Sequence, residues 1–419
     1  MRAEIISVGT EHLLGQIIDT NAPYIAQKLA LLGIDVFRKT TVGDNQERIA
    51  KILEESLKRV DLIIITGGLG PTEDDLTKET VSKVLGKKLE LNKEIFNKIE
   101  KRLAYFKKGI KKGAFKQALI PQRAKILNNR VGTAPGILLD KEGKKIFILP
   151  GVPKEMKVMM DEEVIPCLSQ IKDKECIISR VLKVWGIGES QVEEKIADIL
   201  KSQSNPTIGL LVKKEGVCIR ITAKFPRDEI KEKIKRTEDI LRNKLGDYIY
   251  GADEETMEKV VGTLLKKKKI RISVAESCTG GLLSHLFTNI PGSSTYYQGG
   301  IISYSNDLKS SLLKVPYELI KEKGAVSKEV AEEMAKGVRK ICVTDIGIGI
   351  TGIAGPAGGT PQKPVGLVYI ALSTSQGEVS RKLLFSGNRE DIKWKASQTA
   401  LDLLRKQLIK EKRKDGAQI

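Results

Sequence analysis

Residues Ala275-Glu276-Ser277-Cys278-Thr279-Gly280-Gly281 place a hydroxyl and a thiol nucleophile side by side in one short polar stretch. An apolar run, Ile270 to Val274, precedes it, and a helix-like segment, Leu282 to Phe287, follows. The pattern predicts a strand, a tight turn and a helix start. Backbone N–H groups at a helix start lack intrahelical partners and can hold a phosphate or a developing oxyanion. Two glycines let a ligand approach the backbone closely. A plain structural turn, with Ser277 or Thr279 capping the helix, would use the same residue types.

A serine alcohol attacks only with a base in hydrogen-bond reach. The chain has two histidines, His12 and His285. His285 follows Ser277 by eight residues on the same predicted helix, roughly two turns away, and is expected to point elsewhere. The base must then be a desolvated lysine, a carboxylate or a tyrosinate. Ile301-Ile302-Ser303-Tyr304-Ser305-Asn306-Asp307-Leu308-Lys309 reads as a strand running into a polar turn, from which Tyr304 and Lys309 could reach a common point. A lysine, with a reference pKa of about 10.4, acts as a base only where burial or a neighbouring cation lowers that value. Cys278 is the competing nucleophile. Successive residues at a helix start diverge, so only one of the two can face a given substrate.

A second constellation is Thr66-Gly67-Gly68-Leu69-Gly70-Pro71-Thr72-Glu73-Asp74-Asp75-Leu76-Thr77, after the apolar strand Leu62 to Ile65. A glycine turn can cradle phosphate through its N–H groups. Asp74 and Asp75 could hold Mg²⁺ against that phosphate, or serve as first-turn acids that stabilise a helix dipole. Gly347-Ile348-Gly349-Ile350-Thr351-Gly352 matches a dinucleotide-binding spacing. Its glycines fall inside an apolar strand, and no acid stands about 20 residues further on, so the context test for that motif fails. There is no Walker A motif.

The elements that carry these groups alternate between strand and helix. The first segment runs Ala3–Val8, 21–32, Asp35–Val42, 47–58 and 62–65, an α/β pattern with a largely parallel sheet. A small α+β module is expected over 171–250, with strand-like 177–185, a helix over 190–201, strands near 207–212 and 216–223, and a helix over 227–244. The last segment returns to α/β. The fold class is therefore α/β and multidomain: two α/β sandwich domains, residues 1–168 and 253–412, with mainly parallel sheets, joined by the α+β module over 169–252. The tail from Lys410 is charged and expected to fray.

Of the 419 residues 41% are hydrophobic, enough for real cores, yet no apolar run approaches the roughly 20 residues that span a bilayer. The N-terminal segment carries Glu4 and Glu11 and lacks a signal-peptide pattern. Five scattered cysteines without C-x-x-C spacing argue against a disulfide framework or a zinc site and favour a reducing cytoplasm. The net charge of +19 attracts anions. Its lysines, dense over Lys98–Lys116 and Lys266–Lys269, lack interleaved aromatics and suit solvated helix faces better than nucleic acid.

Further blocks join the first constellation in order: 291–306 PGSSTYYQGGIISYSN, 324–327 GAVS, 351–359 TGIAGPAGG, 363–371 KPVGLVYIA and 385–390 FSGNRE. With AESCTGG they make the last segment resemble the CinA C-terminal domain, the nicotinamide-nucleotide amidase family. The resemblance implies hydrolysis of the carboxamide of nicotinamide mononucleotide to nicotinic acid mononucleotide and ammonia. Ser277 would be the nucleophile, Lys309 the base, and Tyr304 their support. Thr279, Gly280 and Gly281 would hold the oxyanion or the phosphate, Thr351 would position and Arg389 would bind phosphate. The family often has Asp where this chain has Asn388. No metal is implied for this step.

GTEHLLGQIIDTN (9–21), VGDN (42–45), QALIP (117–121), NNRVGTAPG (128–136) and LPGVPKEM (149–156) make the first segment resemble the CinA N-terminal domain, similar to MoaB and MogA molybdopterin-binding proteins. That resemblance implies a metal-dependent ADP-ribose pyrophosphatase. Gly67, Gly68, Gly70 and Thr72 would surround the diphosphate, with Asp44, Asp74 and Asp75 as ligands of a divalent metal such as Mg²⁺. An alternative is a non-catalytic nucleotide- or pterin-binding domain. The middle segment resembles a KH-type module. Its nearest approach to the RNA-clamping loop, Gly186-Ile187-Gly188-Glu189-Ser190, is not G-x-x-G and carries an acid. Expected partners are therefore small nucleotides and, by resemblance, a second copy of the chain. A nucleic-acid-associated competence factor is the remaining alternative.

Overall fold

Four consecutive buried residues, Leu62-Ile63-Ile64-Ile65, have no polar face to offer water, so their strand must be covered on both sides. In the computed structural model, which describes residues 1–105, 111–169, 175–226 and 229–415, it is. Leu62 and Ile64 point into one core with Ala3, Ile5, Phe147 and Leu149. Ile63 and Ile65 point into a second core with Ile6, Val8, Ile146 and Ile148. This alternation across a two-sided sheet is the physical meaning of the unbroken apolar run.

The chain forms two compact units, 1–179 with 222–235, and 180–221 with 236–419. In the first, a six-stranded sheet has the order Asp35–Val42, Arg2–Val8, Leu62–Thr66, Lys144–Leu149, Gly136–Lys141, Lys125–Leu127. The first four strands are parallel, and Gly136–Lys141 runs antiparallel to both of its neighbours. Helices Asn21–Leu31 and Gln46–Arg59 complete the α/β pattern. The latter is capped by the Asn45 side chain, which accepts from the Arg48 N–H.

In the second unit a five-stranded sheet has the order Tyr297–Ile302, Ile272–Glu276, Ile346–Gly352, Leu367–Thr374, Gly377–Leu384. The first three strands are parallel, and Leu367–Thr374 runs antiparallel to both of its neighbours. The parallel half thus delivers the ends of Ile272–Glu276, Tyr297–Ile302 and Ile346–Gly352 to one edge, where ligands of such sheets sit.

The glycines of the rejected dinucleotide spacing have a packing role instead. A Cβ on Gly347 would lie 2.1 Å from the Ala335 carbonyl oxygen, and one on Gly349 2.2 Å from that of Ala331. Helix Lys328–Cys342 therefore lies directly on the strand backbone. It is capped by Ser327, whose hydroxyl accepts from the Val330 N–H.

Strands of the middle segment form a four-stranded sheet, Thr207–Lys213, Gly216–Pro226, Glu175–Val184, Ile249–Ala252. The single helix expected over 190–201 is two, Glu189–Lys195 and Ala197–Ser202, because Ile196 leaves helical geometry at φ −116° and ψ 14°. Gly186-Ile187-Gly188 forms the turn from Glu175–Val184 into the first of these helices, which already holds Glu189 and Ser190. The helix expected over 227–244 is described from Ile230 to Leu245; its first two residues, the stretch 106–110 of the lysine-rich segment, the linker 170–174 and the tail 416–419 lie outside the described residues.

Candidate functional site

Strand Ile272–Glu276 ends at the turn that carries Ser277, and strand Tyr297–Ile302 ends just before Ser303. The two strands pair in parallel with Glu276 opposite Ile302, so both turns open at the same edge. Helix Asn306–Ser311 then returns Lys309 toward the sheet; Ser305 caps it, accepting from the Leu308 N–H. Lys309 Nζ lies 3.1 Å from Ser277 Oγ. It also donates to the carbonyl oxygens of Ser303 at 2.8 Å and Tyr304 at 3.2 Å.

Lys309 is 1% exposed and Ser277 7%. Burial without a paired carboxylate disfavours the ammonium form and pulls the Lys309 pKa below its ordinary value. A lysine so placed can accept the serine proton and return it to a leaving amine. Cys278 is buried beside them, and burial pushes its thiol up to about 12. At neutral pH it carries almost no thiolate, the form that attacks. His285 is exposed on its helix, with Nε2 3.0 Å from the Asn289 amide nitrogen, and takes no part.

The other expected residues divide between those that meet this pair and those that do not. Tyr304 contributes its carbonyl to Lys309, but its side chain is 61% exposed and its hydroxyl accepts from Arg389 Nη2 at 3.2 Å. Arg389 also donates to the Gly355 carbonyl at 2.7 Å, which fixes the guanidinium at the rim beside Tyr304. Thr351 is buried and spends its hydroxyl on the Ala325 carbonyl at 2.8 Å, tying its strand to the Gly324–Ser327 turn. Gly280 donates its N–H to the Ser277 carbonyl at 3.2 Å. Gly281 donates its N–H to Glu276 Oε2 at 3.1 Å. The helix start expected to hold an anion is thus filled by the chain's own carboxylate, leaving the N–H groups of Cys278 and Thr279 without a backbone acceptor in the turn.

Two groups escaped the sequence reading. Glu276, wholly buried, stands in the 275–281 stretch without a role of its own in the sequence reading, although an acid just before a glycine turn and a helix start is itself a capping signal. Ser303 supplies a carbonyl to Lys309 and keeps a buried hydroxyl with no partner among the described residues, as does Thr279. No sequence pattern marks a residue that acts through its main chain.

In the first unit the glycine turn lines a cavity of about 440 Å³ with Asp44, Asp74, Asp75, His12 and Asn21. Gly67 and Gly68 take φ of +106° and +66°. A Cβ on them would lie 2.1 Å from the Val8 carbonyl oxygen and the Thr77 hydroxyl, so the turn requires glycine twice over. The Thr72 hydroxyl donates to Asp75 at 2.5 Å, and its closeness to Asp74 holds that carboxyl below its ordinary value. Asp44 accepts from the N–H and hydroxyl of Thr10. All the expected residues except Thr72 thus line one cavity, with Thr72 bonded to its wall. Among the described residues, no group of three or more His, Cys, Asp or Glu is spaced to hold a metal ion.

Residues 254–408 match the CinA C-terminal domain, 179–251 the damage-inducible protein CinA KH domain, and 4–170 the probable molybdopterin binding domain. A CinA-like protein of Kosmotoga olearia is 48% identical over 411 residues, covering 98% of this chain and 99% of that protein. The chain belongs to the CinA family. A second CinA-like protein, from Dictyoglomus thermophilum, is 48% identical over 414 residues, covering 98% of this chain and all of its own length. Among solved structures, CinA of Thermoplasma acidophilum, described as of unknown function, shares 37% identity over 39% of this chain and 97% of its own, with a TM-score of 0.37. The Ser277–Lys309 pair falls within the CinA C-terminal match and the glycine-lined cavity within the molybdopterin-binding match. Among the described residues no helix is long and apolar enough to cross a membrane.

Proposed function

We propose that this CinA-family chain hydrolyses a primary carboxamide at Ser277, with nicotinamide mononucleotide as the substrate. The observation that carries the reading is a buried lysine, lowered in pKa and, among the described residues, without a carboxylate partner, 3.1 Å from a buried serine hydroxyl. Ser277 Oγ attacks the amide carbon as its proton passes to Lys309. The N–H groups of Cys278 and Thr279 are the nearest candidates for the oxyanion. Collapse of the tetrahedral intermediate expels the amine, which takes the proton from Lys309 and leaves as ammonia. Water, deprotonated by the same lysine, then releases the acid from the acyl-serine. Arg389 at the rim supplies a planar fork for a phosphate. The nucleotide itself comes from the family resemblance. Ammonia release from nicotinamide mononucleotide tests the reading: wild type should produce it and Ser277→Ala should not. Activity retained in Ser277→Ala would end the serine mechanism.

For the first unit we propose diphosphate hydrolysis of ADP-ribose with a divalent metal. The donor set fits a hard cation such as Mg²⁺, which keeps several waters and is commonly held by one or two carboxylates plus the substrate's own phosphates. Asp44, Asp74 and Asp75 would supply those carboxylates, and the metal would neutralise charge building on the diphosphate. The absence of a three-ligand cluster among the described residues favours a second reading, in which this cavity binds a nucleotide or pterin without chemistry. AMP release from ADP-ribose with Mg²⁺, lost in Asp74→Ala, separates the two; no release by wild type leaves the binding reading.

A further inference from the structure

We propose that Glu276 is a positioning residue for the Ser277–Lys309 pair, an inference that rests on the amidase reading of that site. Its carboxylate is completely buried and, among the described residues, no cation neutralises it in the hydrogen-bond network. Four donors do so instead. Oε2 accepts the N–H groups of Gly281 and Leu283, each at 3.1 Å. Oε1 accepts the N–H of Ser284 at 2.8 Å and its hydroxyl at 2.6 Å. The side chain therefore reaches over the five residues that follow it and closes the nucleophile turn into a ring. In helix Leu282–Thr288 the Leu283 and Ser284 amides are thus satisfied by the residue immediately before the nucleophile, while the Leu282 N–H goes to the Thr279 carbonyl at 3.4 Å.

The main chain of Glu276 makes the second half of the link. Its carbonyl accepts the Ser303 N–H at 2.9 Å, and the Ser303 carbonyl in turn accepts from Lys309 Nζ at 2.8 Å. The next N–H, that of Ser277, donates to the Ile350 carbonyl at 3.0 Å. One residue thus fixes the turn that carries the nucleophile and the strand end that holds the base. The span it controls is the 3.1 Å between Oγ and Nζ. A displacement of about 1 Å in such a pair can cost on the order of 100-fold in rate. A filled helix start also sends any substrate anion elsewhere, toward the Arg389 rim.

The test is Glu276→Gln, which keeps the shape but turns an N–H₂ group toward amide donors. Two rates are read: ammonia release from nicotinamide mononucleotide, and labelling of Ser277 by a fluorophosphonate, in which Oγ bonds to phosphorus and fluoride departs. The second requires no knowledge of the natural substrate. Glu276→Gln should lower kcat and the labelling rate at least tenfold, with KM within about threefold and the slope of the pH–rate profile unchanged. Thr256→Ala, which removes the cap of helix Met257–Lys268 in the same core without touching the Ser277–Lys309 pair, controls for lost stability and should leave both rates within twofold. Labelling of wild type without ammonia release would reject the substrate, and the labelling rates then decide alone: a tenfold loss in Glu276→Gln supports the inference. Equal rates in Glu276→Gln and wild type, equal losses in Thr256→Ala, or no Ser277 labelling in wild type would each overturn it.

Discussion

Lys309→Met removes the proposed base while keeping most of the buried stem. In catalysis, a positioned general base is worth about 10²–10⁴ in rate, or roughly 2.7–5.4 kcal/mol of barrier at 1.36 kcal/mol per decade. The proposed mechanism gives Lys309 both transfers, from Ser277 and to the departing amine, so the loss in kcat should fall in the upper half of that range while KM changes little. Stability responds differently. The variant leaves the Ser303 and Tyr304 carbonyls without their donor, each costing roughly 1 kcal/mol, but it also removes a buried amine. The folded-state pKa of Lys309 is lowered, so the unfolded chain binds more protons between that value and the ordinary lysine value. The penalty for burying the amine is therefore full below the lowered pKa and fades as pH rises through the window up to the unfolded value. At neutral pH the two effects oppose each other, and denaturation should show a change of about 2 kcal/mol or less. The activity assay is ammonia release from nicotinamide mononucleotide across pH. Wild-type log kcat/KM should rise with unit slope and level off below the ordinary lysine pKa; the variant should lack that limb. A Lys309→Met protein with activity within tenfold of wild type, or with the same limb, would refute the reasoning.

Cys278→Ala should keep activity within about tenfold, since its thiol titrates near 12, and iodoacetamide should modify Cys278 in the native protein far more slowly than in the unfolded chain. Gly347→Ala should destabilise the protein by about 2 kcal/mol or more in denaturant, because its Cβ would lie 2.1 Å from a helix carbonyl that cannot move alone. Arg389→Lys should raise KM for a phosphorylated substrate about 5- to 50-fold with a smaller change in kcat, because a point charge cannot bridge the Gly355 carbonyl and the Tyr304 hydroxyl as the planar fork does. A kcat loss at unchanged KM would move Arg389 from binding to chemistry.

Local chemistry and periodicity were enough to place much of this protein from its sequence. The Leu62–Ile65 run had to be a two-sided strand. The 275–281 stretch had to be a strand-to-helix turn, because glycines and small polar residues interrupt apolar runs on either side. The shortage of histidine narrows the base to a few residue types. Spacing could not choose among those types, since Lys309 stands 32 residues from Ser277 and looks like any other lysine of a basic chain. Its identity as a buried amine depends on the parallel pairing of two strands and on a short helix that folds it back under the sheet edge. The same limit explains the helix start. A sequence shows where free N–H groups begin, but not that a carboxylate five residues earlier curls over to take them. It also explains Thr351, whose hydroxyl the fold directs to a neighbouring loop, and Tyr304, whose ring the fold leaves at the surface. Sequence determines which groups exist and which elements carry them. Which of those groups become dry, and which meet, is decided only when strands far apart in the chain are laid side by side, because burial and contact are properties of the packed whole.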